Sequence, residues 1–205
     1  MIQIDNISVQ FNDEYILQDF SLELPESGSV CLFAPSGSGK TTLLRVLCGL
    51  TQPEKGSVKG LERKKAAVLF QENRLLPHLT ALDNLKLVLP PNRQNSAMDW
   101  LKKVGLEDAS QKTPPQLSGG MNRRLAIART FAYGGDIYLL DEPFQGLDQE
   151  AVRQLMDVVG QSIEDSLLIL VTHHREEAEA LCDSIITLGG KPMKILSIEP
   201  IKKRG

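Results

Sequence analysis

The sequence lacks any apolar run long enough to cross a lipid bilayer. A membrane-spanning helix needs about 20 predominantly apolar residues, and the best apolar run here, from Leu167 to Val171, is far shorter. The amino-terminal stretch "MIQIDNISVQF" alternates apolar and polar residues, whereas a secretory signal peptide has a continuous apolar region. We therefore expect a protein that works inside the cell and reaches a membrane only through a partner.

Cysteine is scarce, and its three copies, at positions 31, 48 and 182, are widely separated. They form no Cys-x-x-C pair and have no pair of histidines nearby, which argues against a disulfide framework and against a structural zinc site. We expect them to be small buried apolar side chains in a reducing compartment.

The sequence also lacks an excess of positive charge. It has 23 lysines and arginines and 26 aspartates and glutamates, for a formal net charge of -3. Dedicated nucleic-acid-binding proteins carry a basic bias, so no nucleic-acid partner is expected. The terminal "IKKRG" is expected to be a short solvated tail, with contact to anionic lipid as the alternative.

Alternating stretches and short apolar runs predict the strands of an α/β fold. Alternation in "MIQIDNISVQF" and "YILQDFSLEL" predicts two half-buried strands near the amino terminus. Continuous runs predict a parallel sheet that is buried on both faces, with the strands "SVCLF", "AAVLF", "DIYLL" and "SLLILVT". Two further strands, "SIITLGG" and "PMKILSIEP", are expected near the end of the chain.

Helical spacing occurs between these strands. Apolar residues between positions 151 and 159 recur at helical spacing, which predicts a helix between the last two strands of the parallel set and therefore a βαβ unit. From Leu75 to Ala132 the apolar residues suit short helices that are broken at "LPPNRQ" and "KTPPQ". This segment is predicted to be a helical insertion between sheet strands.

The stretch "APSGSGKT", residues 34–41, predicts a phosphate-binding loop. It follows a predicted strand and precedes an apolar helix, and its glycines allow the backbone N–H groups to turn towards a pyrophosphate. Lys40 can then reach the β and γ phosphate oxygens, and the Thr41 hydroxyl can ligate Mg²⁺. The loop begins with Ala34 where the pattern has glycine, and an ordinary backbone conformation suffices there.

Further along, "IYLLDE" places two carboxylates at the end of an apolar strand. Such a pattern is common by itself, but downstream of a phosphate-binding loop it indicates nucleotide hydrolysis. Asp141 is positioned to hold the water shell of the metal, and Glu142 to polarise a water molecule.

A second glycine-rich turn, "LSGGM" at residues 117–121, opens another predicted helix. Backbone N–H groups and the helix dipole at such a start favour an anion. This turn has no lysine, so the chain has two anion-binding turns of unequal strength.

In this order the motifs resemble those of the ATP-binding cassette ATPases, the motor subunits of ABC transporters, over nearly the whole chain. The matching stretches beyond the phosphate-binding loop are "LFQENRLLPHLTALDNL", "LSGGM", "IYLLDEP", "GLD" and "VTHH". The resemblance implies an α/β, P-loop NTPase (RecA-like) core with a parallel sheet and an N-terminal antiparallel β subdomain, formed by residues 1–70 and 133–205. Residues 71–132 would form a helical subdomain that carries the "LSGG" signature, all within the single domain 1–205.

The resemblance also implies ATP and Mg²⁺ as cofactors and assigns roles by position. Catalytic roles fall on Gln71, Glu142 and His173, and metal binding on Thr41, Gln71 and Asp141. Nucleotide binding falls on Phe11, Ala34, Pro35, Ser36, Gly37, Ser38, Gly39, Lys40, Thr41, Thr42, Ser118, Gly119, Gly120 and Asp148.

Some of these roles have alternatives. Phe11 is expected to stack on the adenine, with Tyr15 as the other candidate. His174 stands where the family often has aspartate, and we expect it to face solvent rather than to act in catalysis.

Three arginines, Arg123, Arg124 and Arg129, lie on the helix after the signature. We expect them to form structural salt bridges, with an arginine-finger role as the alternative. Two other features depart from the family pattern: Gly135 replaces a proline, and Gln145 and Gly146 stand where serine or glycine and then alanine are commoner.

The resemblance implies a head-to-tail dimer in which each ATP lies between the phosphate-binding loop of one subunit and the "LSGG" helix start of the other. Ser118, Gly119 and Gly120 would then serve the partner's nucleotide, which accounts for the missing lysine. A transmembrane permease and an extracytoplasmic solute-binding protein are further implied partners, with the ATPase on the cytoplasmic face of the cell membrane.

Met121, "LLDEPFQGLD" and "LFQENRLLP" are most similar to the nitrate, sulfonate and taurine import ATPases. An importer of a small solute is therefore expected. The alternatives are an exporter or lipoprotein-release type ATPase, or an ABC ATPase without a transport role.

Overall fold

A computed structural model of the chain describes residues 1–35, 37–163 and 165–201. Within these ranges the strands are β1 (Ile2–Phe11), β2 (Glu14–Leu24), β3 (Gly28–Phe33), β4 (Lys55–Lys59), β5 (Ala66–Leu69), β6 (Ile137–Asp141), β7 (Leu167–Thr172), β8 (Ser184–Gly189) and β9 (Lys194–Pro200). The α-helices there are α1 (Lys40–Leu47), α2 (Ala81–Lys86), α3 (Ala97–Lys103), α4 (Gly119–Tyr133), α5 (Gln149–Ser162) and α6 (Arg175–Leu181).

The amino-terminal strands form a three-stranded antiparallel sheet in the order β2-β1-β4. Strand β1 buries Ile2 and Ile4 and then Ile7 and Val9. The alternation changes phase between Ile4 and Ile7, where the pairing register with β2 shifts and Asn6 has a φ of 47°. This β-bulge keeps both halves of the strand facing the core although the residue spacing is odd.

The third strand of this sheet, β4, was not predicted from the sequence. Its sequence "KGSVK" has only one large apolar residue and is half-buried at most. It becomes a strand through pairing with β1, and a side chain on Gly56 would overlap the backbone of Asp5 and Asn6. The strand therefore depends on tertiary pairing more than on its own composition.

The central sheet has six strands in the order β5-β6-β7-β3-β8-β9. Its first five strands are parallel, and β9 is antiparallel to β8. All residues of β6 and β7 are buried, because structure covers both faces of the sheet. The parallel, doubly covered sheet predicted from the short apolar runs is confirmed.

Alternate residues of the central strands enter two separate apolar clusters. In β6, Ile137 and Leu139 face a cluster shared with the antiparallel sheet and α1. Tyr138 and Leu140 face the other cluster, which contains apolar residues of α2 to α6. The antiparallel sheet and the helical segment thus pack on opposite faces of the central sheet.

The middle of the chain is helical, as its apolar spacing predicts. The two proline-containing breaks are themselves short 3₁₀ helices, Pro91–Ser96 and Pro114–Gln116. Proline is tolerated at the first position of a helix because an N–H there has no partner within the helix. Helix α4 buries Leu125, Ala128 and Ala132 against the rest of the protein. The boundaries of a subdomain at residues 71–132 stay a prediction.

The described helices are too short or too polar to span a bilayer. Cys31 and Cys182 are buried and Cys48 is half-buried, and within the described ranges none of the three forms a disulfide. Of the terminal "IKKRG", only Ile201 lies among the described residues.

Candidate active site

The site lies at the carboxyl ends of three neighbouring parallel strands, β6, β7 and β3. Because these ends meet at one edge of the sheet, the residues that follow them lie close together, as is usual in open α/β sheets. A cavity of about 310 Å³ opens there. It is lined by Phe11, Ile16, Gly37, Gly39, Lys40, Thr41, Thr42, Gln71, Asp141, Glu142, Gln145 and His173.

A larger cavity, of about 600 Å³, lies between α1, β4 and β5. None of the predicted site residues lines it, and its walls mix apolar side chains with polar ones that belong to none of the motifs. The smaller cavity at the strand ends therefore has the chemistry that the motifs predict.

The loop after β3 has the backbone geometry of an anion cradle. Gly37 and Gly39 have φ values of 77° and 97°, which side chains disfavour. A Cβ on Gly39 would lie 2.5 Å from Cγ2 of Ile16, so only glycine fits that close approach. Gly39 is the N-cap of α1, so the positive end of this helix faces the cavity. Ser36 lies outside the described residues.

Lys40 is buried at the base of this loop. Its Nζ donates hydrogen bonds to the carbonyls of Ala34 (2.6 Å) and Pro35 (2.8 Å). Nζ is also 4.0 Å from Oε1 of Glu142. Burial lowers the pKa of Lys40, and the carboxylates of Glu142 and Asp141 oppose that change. The ammonium is thus held where a phosphate tail would enter the loop.

Thr41 and Asp141 form an oxygen pair in the cavity wall. The Thr41 hydroxyl donates a 2.6 Å hydrogen bond to Oδ2 of Asp141. Burial raises the pKa of the Asp141 carboxyl, against the effect of the Thr41 hydrogen bond. A hydroxyl and a carboxylate are ligands that Mg²⁺ accepts, usually together with waters and substrate phosphates.

No group of three or more His, Cys, Asp or Glu side chains in the described ranges is arranged to hold a metal by itself. A divalent ion at Thr41 and Asp141 would therefore need oxygens from another molecule. This donor set fits a metal that arrives with a nucleotide and not a resident structural metal.

Glu142 and His173 form a second pair of side chains in the same cavity. Nδ1 of His173 lies 2.8 Å from Oε1 of Glu142, and the backbone N–H of Glu142 donates to the carbonyl of Val171 (2.8 Å). Glu142 has a φ of 46°, a left-handed conformation that costs energy for any residue other than glycine. Such strain at a buried carboxylate beside a histidine is typical of a catalytic position.

Gln71 lies at the rim, where its Nε2 donates a 3.0 Å hydrogen bond to Oε1 of Gln145. Gln145 was recognised in the sequence only as a departure from the family pattern. The structure brings it into the cavity wall. Its position two residues after "DEP" was the available signal, because that loop begins at the strand end that carries the two carboxylates.

Phe11 is 48% exposed and lines the mouth of the cavity. Tyr15, the alternative, is half-buried and does not line it. Ile16 does, and sequence reasoning missed it because it reads as an ordinary strand residue. This geometry supports Phe11 as the residue that would meet a planar base at the open end.

The signature residues lie apart from this cavity. Ser118 is exposed at the N-cap of α4, where its hydroxyl accepts a 3.2 Å hydrogen bond from the N–H of Met121. Asp148 is exposed at the N-cap of α5, where it accepts from the N–H of Ala151 (2.9 Å). Ser118, Gly119, Gly120 and Asp148 are absent from the cavity wall. One subunit therefore does not bring the two predicted groups of nucleotide-binding residues together.

The expected salt bridges of the α4 arginines are wrong. Among the described residues Arg123, Arg124 and Arg129 have no carboxylate within ion-pair distance, and they donate mainly to backbone carbonyls. Their carbonyl partners lie at the ends of elements and in loops, and the guanidinium fork can donate to several of them at once. All three side chains are therefore used within their own chain. His174 is exposed, as predicted, with its ring 4.1 Å from that of His173.

Comparison with known proteins places this geometry in a family. The family described as "ABC transporter" matches residues 17–145. The thiamine import ATP-binding protein ThiQ of Vibrio cholerae is 33% identical over 96% of this chain and 89% of its own length. The aliphatic sulfonates import ATP-binding protein SsuB 1 of Paracoccus denitrificans is 39% identical over 91% of this chain and 78% of its own length.

A solved structure has the same fold over its whole length. The dimeric post-hydrolysis state of the ATP-binding cassette MJ0796, bound to ADP and Pi, superimposes with a TM-score of 0.86. The two chains are 29% identical, and the match covers 100% of each. The cavity at the strand ends is therefore part of an architecture that holds nucleotide in that protein.

Proposed function

This chain belongs to the ABC transporter family and is an ATPase of that family, and we propose that it is the ATP-hydrolysing subunit of an importer for a small solute. The observation that carries the proposal is the convergence of Lys40, the Thr41–Asp141 pair and the Glu142–His173 pair in one cavity. These are the groups that phosphoryl transfer to water requires.

ATP would bind with its phosphates in the loop of residues 34–41 and its adenine near Phe11. The loop N–H groups, the start of α1 and the Lys40 ammonium supply positive potential for the phosphates. The Thr41 and Asp141 oxygens, with Gln71 at the rim, would hold Mg²⁺. When bound, Mg²⁺ neutralises charge on the phosphate oxygens and helps to align them.

Hydrolysis would depend on Glu142 and His173. The Glu142 carboxylate, held by its 2.8 Å contact with His173, would orient the attacking water and accept its proton. His173 is 39% exposed in its side chain, so it can reach a phosphate oxygen from the solvent side. The protein would contribute positioning and charge stabilisation, which provide most of the rate acceleration in this chemistry.

The signature residues would complete the site of a second subunit. Ser118, Gly119 and Gly120 are exposed or half-exposed at the start of a 15-residue helix, outside their own chain's cavity. Two copies arranged head to tail would place this helix start on the partner's nucleotide, with Asp148 beside it. We propose a homodimer of this kind, for which the dimeric cassette MJ0796 is the structural precedent.

The direction of transport rests on similarity. The thiamine and aliphatic sulfonates relatives described above are import ATP-binding proteins. We propose that the dimer works at the cytoplasmic face of the membrane on a permease that receives its solute from an extracytoplasmic binding protein.

A Glu142→Gln variant tests this function. We expect the purified wild type to hydrolyse MgATP slowly and the variant to lose hydrolysis while it accumulates as an ATP-bound dimer in size-exclusion chromatography. An exposed control, Glu23→Gln on β2, should behave as the wild type. If Glu142→Gln hydrolyses ATP as fast as the wild type, the proposed role of Glu142 is wrong.

A further inference from the structure

One buried cation remains without a role in the proposed mechanism. The Arg123 side chain, on the first turns of α4, is 4% exposed. Burial lowers its pKa to about 10, so it stays protonated at neutral pH. It donates hydrogen bonds to the carbonyls of Phe70 (2.7 Å), Gln71 (3.1 Å), Asp141 (2.8 Å), Glu142 (2.7 Å) and Pro143 (2.7 Å) and to Oδ1 of Asn73 (3.2 Å).

Three of these six hydrogen bonds hold the turn of residues 141–143, which carries Glu142. The carbonyls of Asp141, Glu142 and Pro143 are consecutive, and Nε and Nη2 of Arg123 engage all three. Glu142 has a left-handed φ of 46°. Such a conformation persists only where the surroundings determine it. The guanidinium is the side chain that fixes the carbonyls on both sides of that strained residue.

The other half of the bonds hold the loop of Gln71. Nη1 of Arg123 engages the carbonyls of Phe70 and Gln71 and the Asn73 side chain. One planar group therefore joins the loop after β5 to the loop after β6. A lysine cannot reproduce this arrangement, because its ammonium has three donors at one point and no fork.

We propose that Arg123 is a positioning residue for ATP hydrolysis, which fixes the Glu142 carboxylate and the Gln71 loop in register through their backbone carbonyls. The inference rests on the role proposed for Glu142. Arg123 does not line the cavity, so it acts on the nucleotide only through these two loops. Its loss should displace the carboxylate that orients water and leave the phosphate-binding loop in place.

The test compares Arg123→Gln and Arg123→Lys with the wild type in steady-state ATP hydrolysis and in direct MgATP binding. Displacement of a catalytic group by about 1 Å costs about 100-fold in rate, so we expect kcat to fall about 10- to 100-fold in both variants. The KM and the MgATP dissociation constant should change by much smaller factors than kcat, because Lys40 and the phosphate-binding loop are untouched.

Arg124→Gln is the matched control. Arg124 also donates to carbonyls from α4, but those of Val104 and Gly105, away from the cavity. We expect the control to alter the unfolding midpoint without changing kcat. An equal fall in kcat for Arg124→Gln would show that general packing of α4 sets the rate and would overturn the proposal.

A double variant separates positioning from a structural effect. In the Glu142→Gln background the carboxylate is already gone, so adding Arg123→Gln should lower the residual single-turnover rate by a smaller factor than it does in the wild-type background, through the Gln71 loop alone. A further loss as large as in the wild-type background would contradict the inference, and so would full activity of Arg123→Lys. If Arg123→Gln fails to fold, the same comparison is made with Arg123→Lys in both backgrounds.

The two proposals fail differently. If Glu142→Gln keeps wild-type activity, the role of Glu142 is wrong, whatever the arginine variants do. If Glu142→Gln is inactive and both Arg123 variants keep the wild-type kcat, only the positioning role of Arg123 is wrong.

Discussion

The Thr172 hydroxyl, at the end of β7, donates a 2.6 Å hydrogen bond to Oε2 of Glu177 on α6. The same hydroxyl accepts a 3.0 Å hydrogen bond from the N–H of His174. It therefore ties together both ends of the turn that presents His173 to the cavity. Both Thr172 and Glu177 are buried, so this link is shielded from solvent.

The buried Glu177 predicts a pH dependence of stability. Burial raises its pKa in the folded protein; the Thr172 hydrogen bond and the nearby His174 and His173 oppose this, and Glu142 adds to it. The folded protein thus holds this proton more tightly than the unfolded chain. The Glu177 share of the unfolding free energy is largest below the ordinary carboxyl pKa and falls as pH rises through the raised pKa.

We therefore expect Glu177→Gln to have a higher unfolding midpoint than the wild type at neutral pH, since glutamine keeps an acceptor for the Thr172 hydroxyl and carries no buried charge. The difference should shrink towards about pH 4, where the wild-type carboxyl also protonates. Thermal unfolding across this range, with the exposed Glu176→Gln as control, measures it. A gap that widens on acidification would mean that folding lowers the pKa of Glu177, the opposite of the expected shift.

The separation of Ser118 from its own cavity predicts complementation between two inactive variants. Lys40→Ala removes the ammonium, and Ser118→Arg blocks the exposed helix start. A head-to-tail heterodimer of the two contains one intact composite site. With random pairing of equal amounts, about half the dimers are mixed, and activity should return to about a quarter of the wild type.

The control mixture combines Lys40→Ala with the double variant Lys40→Ala/Ser118→Arg, which offers no intact loop in any dimer. It should stay inactive. If the first mixture also stays inactive while all variants are folded and form dimers, the sites are not shared between subunits.

Gly135 predicts an effect of backbone crowding. A Cβ there would lie 2.7 Å from the carbonyl oxygen of Lys65 and 3.1 Å from the backbone nitrogen of Ala67. Gly135→Ala should therefore lower the free energy of unfolding by about 1–3 kcal/mol, because the backbone atoms it meets lie at the start of the paired strands β5 and β6 and are not free to move aside. Urea unfolding measures this change.

Gly160 is the control for that substitution. It lies within α5, and an added Cβ would meet nothing within 4 Å. Gly160→Ala should raise the free energy of unfolding by about 0.5–1 kcal/mol, since alanine favours the helix. A neutral or stabilising Gly135→Ala would show that the β5–β6 edge yields easily to a larger residue, against expectation.

The elements that the sequence predicts well are those with strong local patterns. Short apolar runs located β3, β5, β6 and β7 because strands covered on both faces have no polar alternation. The spacing of glycines, Lys40 and Thr41 located the loop because its backbone geometry demands particular residues at particular positions. Parallel pairing of β6 with β7 then brings Asp141 and Glu142 to the same edge of the central sheet as this loop.

The features that sequence reasoning missed depend on contacts between distant segments. Strand β4 exists through its partner β1, and its own composition is too polar to indicate a strand. The contact between Gln71 and Gln145 joins residues 74 positions apart. Carboxylate partners were expected for Arg123, but its partners are mainly backbone carbonyls. A sequence shows which residues are charged and does not show which backbone carbonyls the fold brings beside them.

The hydrogen bonds of Lys40 to the carbonyls of Ala34 and Pro35 have a consequence for the cycle of nucleotide exchange. The ammonium links two carbonyls of its own loop to the start of α1. In the proposed function, capture of a nucleotide would require the ammonium to exchange these two neutral acceptors for anionic ones, which is a local change of hydrogen-bond partners. Release of product would reverse that exchange.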